Sequence, residues 1–239
     1  MPISKTDVVR GLQCEKMLWL DAHAPELKII PPEVQARLDA GNAFGDDTMG
    51  IFGDYVETTA YKADGRLDYA KMLQTTQDLL EKNCPIVCEA AFSWYGNYCA
   101  VDILKKDGDG YALYEVKNSA TLRKEFITDL GFQRLIVKKS GVFITSSHLI
   151  LPCDNAETDE DTTGKTYVEN GGKKYVIIDV TSAAKAVERV ADRKIFALGK
   201  IKKKDAPMPC IAVGEHCNAP YRCWYYSHCH GEQEKTEKE

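Results

Sequence analysis

The spacing of apolar residues along the chain changes from a helical period to a strand-like period near residue 85. Before that point, apolar positions recur every three to four residues in three segments, which predicts three helices. The first follows a capping pair, Ser4 and Asp7, and runs to about residue 20. The second opens at the two prolines of 31–32, and the third covers 67–83.

Beyond residue 85, shorter apolar runs predict strands, separated by turn residues and by segments of helical period. The predicted strands cover 86–94, 98–104, 111–117, 142–151 and 175–180, and the predicted helices cover 121–141 and 181–198. The segment 153–174 is polar and rich in glycine, which is typical of a loop or a loose hairpin. This order predicts an α/β fold with a mixed central sheet flanked by helices.

We expect one domain over residues 1–231, since 239 residues suffice for one sizeable core. It would contain a helical part at 1–85, a core at 86–200 and a cysteine-rich segment at 201–231, before a charged tail at 232–239. No run of 18 apolar residues and no signal-peptide pattern is present. The expected location is therefore the cytoplasm.

Charge and cysteine content narrow the function classes. A formal charge of −5 excludes a globally basic nucleic-acid binder, although a local basic patch still decides what docks. An odd number of cysteines, nine, without an export signal argues against a disulfide framework. The thiols are then core residues or metal ligands, and we interpret four of them as core residues: Cys84, Cys88, Cys99 and Cys153.

A predicted hairpin at 101–117 brings three charged residues to one face of the sheet. Each dipeptide between 107 and 110 favours a two-residue turn, which would place Asp102, Glu115 and Lys117 on the same side. The opposite side would hold Val101, Ile103, Tyr114 and Val116. Buried carboxylates need a counter-charge, and Mg²⁺ or Mn²⁺ offers one while activating water. The alternative is a plain ion pair between Glu115 and Lys117.

The residues "VD" at 101–102, "EVK" at 115–117 and the helical Gln133 resemble the PD-(D/E)XK nuclease superfamily, and more narrowly its RecB-like exonuclease branch. The resemblance covers nearly the whole chain and is weakest at 153–174. It implies a restriction-endonuclease-like core in which Asp102, Glu115 and the carbonyl of Val116 bind metal. It also implies that Lys117 is the catalytic lysine and that Gln133 helps to position the nucleic acid or that lysine.

The chain departs from the first motif of this family, a helical G-x-x-x-H whose histidine often binds metal. Gly41 fits, but Gly45 stands where the histidine would be. Asp46 or Asp47 is a candidate for a substitute ligand, and Glu89 on the preceding strand is another. The missing histidine bears on the affinity for metal and on the catalytic rate more than on the fold.

The C-terminal cysteines form a second candidate site. Cys217, Cys223 and Cys229 have the spacing C-x5-C-x5-C, and a fourth thiol would come from Cys210 or from the distant Cys14. The spacing alone leaves an iron–sulfur cluster and a zinc ion equally open. The resemblance to the iron–sulfur nucleases of the RecB-like branch implies a structural [4Fe-4S] cluster that ties the two ends of the chain together through Cys14 and the C-terminal three.

The same resemblance implies a Mg²⁺- or Mn²⁺-dependent deoxyribonuclease, an exonuclease on single-stranded DNA ends, which would leave room for a helicase or recombination partner. Candidate phosphate contacts are Arg123, Lys124, Arg134, Lys138 and Lys139, and candidate stacking residues are Trp94, Tyr95 and Tyr98. Two alternatives are a non-catalytic nucleic-acid-binding or scaffold module on this fold and a redox or iron sensor.

Overall fold

A seven-stranded mixed sheet forms the centre of the computed structural model, which describes residues 1–30, 41, 43–153 and 164–231. The strands are β1 Val56–Glu57, β2 Ile86–Trp94, β3 Asn97–Asp107, β4 Gly110–Val116, β5 Ile144–Pro152, β6 Lys165–Asn170 and β7 Lys173–Asp179. Their order in the sheet is β1-β2-β3-β4-β5-β7-β6. Two neighbouring pairs, β1 with β2 and β4 with β5, are parallel, and the other four are antiparallel.

Helices flank this sheet, and a short last helix lies in the cysteine-rich segment. They are α1 Lys5–Gln13, α2 Glu15–His23, α3 described over 43–48, α4 Tyr69–Glu81, α5 Lys124–Lys139, α6 Thr181–Ile201 and α7 Tyr226–His230. The predicted α/β class with a mixed, helix-flanked sheet is confirmed. The helix predicted from residue 31 lies mostly outside the described residues. The described part of 153–174 contributes β6 and the start of β7, so its hairpin is regular rather than loose.

The first predicted helix is two helices in the structure. Ser4 and Asp7 form the predicted capping box at the start of α1. Cys14, however, has an extended backbone with φ −160° and ψ 114°, and it separates α1 from α2. A pattern of apolar residues that continues across one extended residue does not reveal such a break.

The core lies mainly between the sheet and one layer of helices, in which α5 packs against both α1 and α6. All residues of α5 from Leu130 to Val137 are buried, because the sheet covers one side of this helix and the neighbouring helices cover the other. A second apolar cluster lies on the opposite face of the sheet around Met49, Tyr114 and Tyr175. In the part of the chain that the structure describes, no helix has both the length and the apolar character to cross a membrane.

Substitution of Gly131 with alanine tests the close approach of α5 to α6. A Cβ atom there would lie 2.6 Å from Val187 and 3.0 Å from the carbonyl oxygen of Ala184. Overpacking of this kind outweighs the gain in helix propensity, so we expect a net loss of about 1–2 kcal/mol. In urea unfolding, Gly45→Ala, where nothing lies within 4 Å of the added atom, should not lower the midpoint. Equal midpoints for the two variants would contradict this packing.

Candidate active site

The hairpin of β3 and β4 places Asp102 across from Glu115. Asp107 pairs with Gly110 around a two-residue turn, as predicted, and the register that pairs Ile103 with Tyr114 puts Asp102 and Glu115 at the next step. At this point the N–H of Val116 donates to Oδ2 of Asp102 at 2.7 Å. The carboxylate of Asp102 is therefore held at the end of β4, beside Glu115.

The alternation of side chains along β2 and β3 is interrupted beside Asp102. Glu89 has φ 52°, a left-handed conformation that costs a non-glycine residue of order 1–3 kcal/mol. Its carbonyl accepts a hydrogen bond of 2.5 Å from the hydroxyl of Thr58. Val101 and Ile103 consequently belong to different core clusters. The prediction that these two share a face of the sheet was wrong, since it assumed a regular strand through Asp102.

Glu115 is a fully buried carboxylate, 0% exposed, with three polar partners. Its Oε1 lies 2.7 Å from Nζ of Lys117 and 3.1 Å from Nζ of Lys5. Its Oε2 accepts a hydrogen bond from Nε2 of Gln133 on α5. Burial would raise the pKa of Glu115, but the two ammonium groups lower it to about 2. Glu115 is therefore ionised at neutral pH, and Gln133 positions this carboxylate rather than the lysine.

Lys117 is held between two carboxylates. Besides Glu115, its Nζ contacts Oδ2 of Asp129 on α5 at 2.8 Å. Burial favours the neutral amine, yet Glu115 and Asp129 hold the pKa of Lys117 above its usual range. Lys117 is thus a fixed positive charge at neutral pH. Such a group can stabilise developing negative charge, but it cannot act as a general base.

Asp102 and Glu89 are less readily ionised. Burial raises the pKa of Asp102 to about 6, and the neighbouring charge of Glu115 adds to the rise. Burial likewise raises the pKa of Glu89 to about 7, with Asp102 as the second cause. Three acidic side chains whose charges repel one another make a place where bound positive charge is favourable.

An open cleft of about 1260 Å³ lies above these carboxylates. Its lining includes the basic side chains of Lys5, Arg10, Lys117, Arg123 and Arg222, and the aromatic side chains of Tyr61, Tyr98, Phe126, Tyr221, Trp224 and Tyr226. The cleft is larger than most sites for a single small molecule. Its mixture of acidic floor and basic, aromatic walls suits an extended anionic polymer.

The structure separates the two candidates for a substitute ligand on α3. Gly41, Gly45 and Asp46 line the cleft. Asp47 instead pairs with Lys173 on β7, with both side chains exposed. Asp46 therefore remains a candidate, whereas Asp47 does not. A Cβ atom at Gly45 would meet no atom of the described residues within 4 Å, so among these residues there is space for a larger side chain at that position.

The donor chemistry fits a hard divalent cation, but the present arrangement is not a preformed cage. The oxygens of Glu89, Asp102 and Glu115 are ligands that Mg²⁺ and Mn²⁺ prefer. Within the described ranges, no three His, Cys, Asp or Glu side chains stand close enough together to hold a metal ion. Oε1 of Glu115 already contacts two ammonium groups and Oε2 accepts from Gln133, so a cation at either oxygen would compete with these partners.

Several predicted nucleic-acid contacts lie elsewhere. Arg134 is 2% exposed and pairs with the buried Glu188, so the prediction that it contacts phosphate was wrong. Lys138 shares the same glutamate, and Lys139 pairs with Asp192. Both lysines thus pair with residues of α6 outside the cleft, whereas Arg123 lines the cleft and Lys124 is exposed at the start of α5.

The predicted stacking residues also divide. Tyr98 lines the cleft, as a base-stacking role requires. Trp94 and Tyr95 lie outside it, in contact with each other and with Phe196 on α6. Of these three residues, only Tyr98 is therefore placed to contact a nucleic-acid strand in the cleft.

Four of the predicted cysteine ligands line one small cavity of about 20 Å³: Cys14, Cys217, Cys223 and Cys229. Cys210 is exposed and lies outside it. The N–H of Tyr225 donates to the sulfur of Cys223 at 3.4 Å. Burial raises the pKa of the Cys223 thiol to about 11, and the other three cysteines add to that rise. Thiolates are metal ligands by their chemistry, but among the described residues no three of these side chains are close enough together to hold a metal ion.

Protein contacts already join this segment to the start of the chain. Nε2 of Gln13 donates to the carbonyls of His216 and Tyr221 at 2.9 and 2.8 Å. The hydroxyl of Tyr225 donates to Asp21 at 2.8 Å. The cysteine-rich segment thus forms a wall of the cleft that packs on α1 and α2.

We call the carboxylates of Glu89, Asp102 and Glu115 the acidic centre. Two residues that contact this centre or its lysine, Asp129 and Lys5, were not predicted from the sequence. Asp129 lies one helical turn before Gln133, so the spacing i, i+4 on α5 was the available signal. Lys5 reaches Glu115 from 110 positions away, and no local pattern predicts such a contact.

A comparison with protein-family models found no match for the chain, and a comparison with curated proteins found none either. The interpretation of the site therefore rests on its own geometry.

Substitution of Glu89 with glutamine tests the acidic centre through its pH dependence. The unfolded carboxyl releases its proton near pH 4.5 and the folded one near pH 7, so folding takes up a proton between these values. Ionised Glu89 therefore lowers stability above pH 7. In the presence of chelator at pH 8, we expect the free energy of unfolding of Glu89→Gln to be higher than that of the wild type by roughly 2–3 kcal/mol. This difference should shrink below pH 5. Denaturant unfolding at both pH values measures this, and a gain that does not vary with pH would contradict it.

Proposed function

We propose that the chain is a metal-dependent deoxyribonuclease, an exonuclease acting on single-stranded ends, on a restriction-endonuclease-like core. The observation that carries this proposal is the convergence of Asp102, Glu115 and Lys117 on the floor of one cleft. Burying these charges together costs stability. A hairpin with only a structural role has no use for these buried charges, whereas a catalytic centre uses them to bind metal and to stabilise negative charge.

The roles follow from the contacts. Asp102, Glu115 and the carbonyl of Val116 would hold Mg²⁺ or Mn²⁺, and a bound cation would acidify a water and offset negative charge on the phosphate. Lys117, whose pKa is raised by Glu115 and Asp129, would stabilise the phosphate oxygens as negative charge develops. Gln133 fixes the orientation of Glu115, and Asp129 fixes that of Lys117.

The walls of the cleft support a single nucleic-acid strand as substrate. Arg123, whose side chain is 48% exposed, offers positive charge to phosphates, and Tyr98 and Tyr61 offer ring surfaces to bases. Stacking of this kind needs unpaired bases, because bases in a duplex already stack on their neighbours. Binding should accordingly weaken as the salt concentration rises.

We propose further that Cys14, Cys217, Cys223 and Cys229 hold a [4Fe-4S] cluster with a structural role, with Zn²⁺ as the alternative. The support is that four thiols from both ends of the described chain line one cavity. A cluster takes one thiolate at each of its irons, so it does not require the close spacing of a single tetrahedral ion.

A non-catalytic nucleic-acid-binding module is the second candidate. The observation that favours it is Gly45, which leaves the cleft without a side-chain ligand at the position where the resembling family often has histidine. On that reading the basic and aromatic walls bind a strand that is never cut.

Anaerobically purified protein and end-labelled DNA, single- and double-stranded, distinguish the two. The nuclease proposal predicts Mn²⁺- or Mg²⁺-dependent release of labelled nucleotides from the single strand, with no activity in chelator. Asp102→Asn, purified in the same way, controls for contaminating nuclease and should be inactive. Strand binding without cleavage in either metal would support the binding module instead.

A further inference from the structure

Helix α1 places a second ammonium group at the acidic centre. Nζ of Lys5 lies 3.1 Å from Oε1 of Glu115, the oxygen that Lys117 also contacts. The Lys5 side chain is 32% exposed and lines the cleft, so it reaches the carboxylate from the open side.

The charges around Lys5 indicate what it does there. Lys117 lies between Glu115 and Asp129 and contacts both. Lys5 contacts Glu115, and Asp102 lines the same cleft. These two carboxylates are the side chains that would hold a divalent cation. Lys5 therefore supplies positive charge at the place where a bound cation would supply it.

Lys5 can leave this place without any change in the fold. Its helix is anchored by the N–H of Ile3, which donates to Oδ1 of Asn97 at 2.8 Å, and by an ion pair of 2.7 Å between Asp7 and Lys202. The lysine stem is long and flexible, and the cleft beside it is open. Rotation of this one side chain removes one of the two ammonium groups at Oε1 of Glu115 and leaves Lys117 as the other.

We infer that Lys5 is an exchangeable counter-cation of the acidic centre, which competes with a divalent metal ion for Glu115 and Asp102. This inference rests on the proposed metal site. Lys5 then sets the metal concentration at which the acidic centre is occupied. A bound cation takes the place of the Lys5 ammonium group at Glu115, and the displaced ammonium group remains close enough to repel the cation. A like charge a few ångströms away weakens cation binding strongly where water is scarce.

Direct Mn²⁺ binding tests this without any need for activity. The loss of the free Mn²⁺ signal in electron paramagnetic resonance gives the dissociation constant for anaerobically prepared protein. We expect Lys5→Met to bind Mn²⁺ at least tenfold more tightly than the wild type. Lys5→Arg keeps the charge and should stay within threefold of the wild type. Lys194→Met, on the exposed side of α6 and outside the cleft, makes the same change in net charge and should also stay within threefold.

The outcomes separate the inference from the function on which it rests. Lys5→Met keeps Lys117 and Gln133 on Glu115, so we expect it to fold, and its unfolding curve checks this. Equal affinities for the folded Lys5→Met protein and the wild type would overturn the competition while leaving the metal site intact. If the wild type binds Mn²⁺ no more tightly than Asp102→Asn does, the proposed metal site itself is overturned.

Discussion

Replacing Lys117 with alanine should slow DNA cleavage by about 10²- to 10³-fold, the usual effect of removing one preorganised charge from a reacting centre. The side chain is held between Glu115 and Asp129, so its ammonium group has a fixed position toward the cleft. Lys5 still neutralises Glu115 in the variant, which protects the fold. Single-turnover rates at saturating Mn²⁺ measure the effect on chemistry separately from binding.

The matched control is Lys106→Ala. Lys106 lies on the same hairpin, with its ammonium group over the ring of Tyr111, and outside the cleft. We expect its cleavage rate to equal that of the wild type. Equal rates in the Lys117→Ala and Lys106→Ala proteins would exclude Lys117 from the reacting centre.

Replacing Arg134 with methionine should lower the free energy of unfolding by about 3–5 kcal/mol. Arg134 donates to Ser147 at 2.6 Å and pairs with Glu188 at 3.1 Å, and it is almost completely buried. Without it, Glu188 keeps a buried charge with Lys138 as its remaining partner among the described residues. The loss of one partner leaves the penalty of burying the other.

Urea unfolding of two further variants tests this explanation. Lys139→Met removes an exposed ion pair with Asp192 and should cost less than about 1 kcal/mol. In the double variant Arg134→Met with Glu188→Leu, part of the lost stability should return, because no charge then stays buried without its partner. A loss in Arg134→Met as small as that in Lys139→Met would mean that the buried pair contributes nothing.

Regular patterns explain which parts of the fold were predictable. The strand at 86–94 matches β2 in both bounds, since an apolar run between turn residues has few alternative structures. A two-residue turn and the strand period of two predicted that Asp102 and Glu115 share a face of the sheet, while the structure decides that Asp102 lies opposite Glu115 rather than Leu113 or Lys117. Both arguments use only neighbours in sequence.

Irregular and long-range features explain the failures. The left-handed backbone of Glu89 and the break at Cys14 leave no mark in the apolar pattern. Arg134 was wrongly assigned to a surface because α5 is covered on both sides, and its partner Glu188 is 54 positions away. The contact of Lys5 with Glu115 likewise depends on how α1 docks beside the sheet.

Anomalous scattering from crystals soaked in Mn²⁺ tests most directly whether this acidic centre holds a divalent cation. We expect a strong peak in the cleft, in contact with the carboxylates of Asp102 and Glu115 and the carbonyl of Val116. The peak should be missing from crystals of Asp102→Asn soaked in the same solution. A map with no peak at these oxygens, at a Mn²⁺ concentration that saturates the protein in solution, would contradict a metal site here.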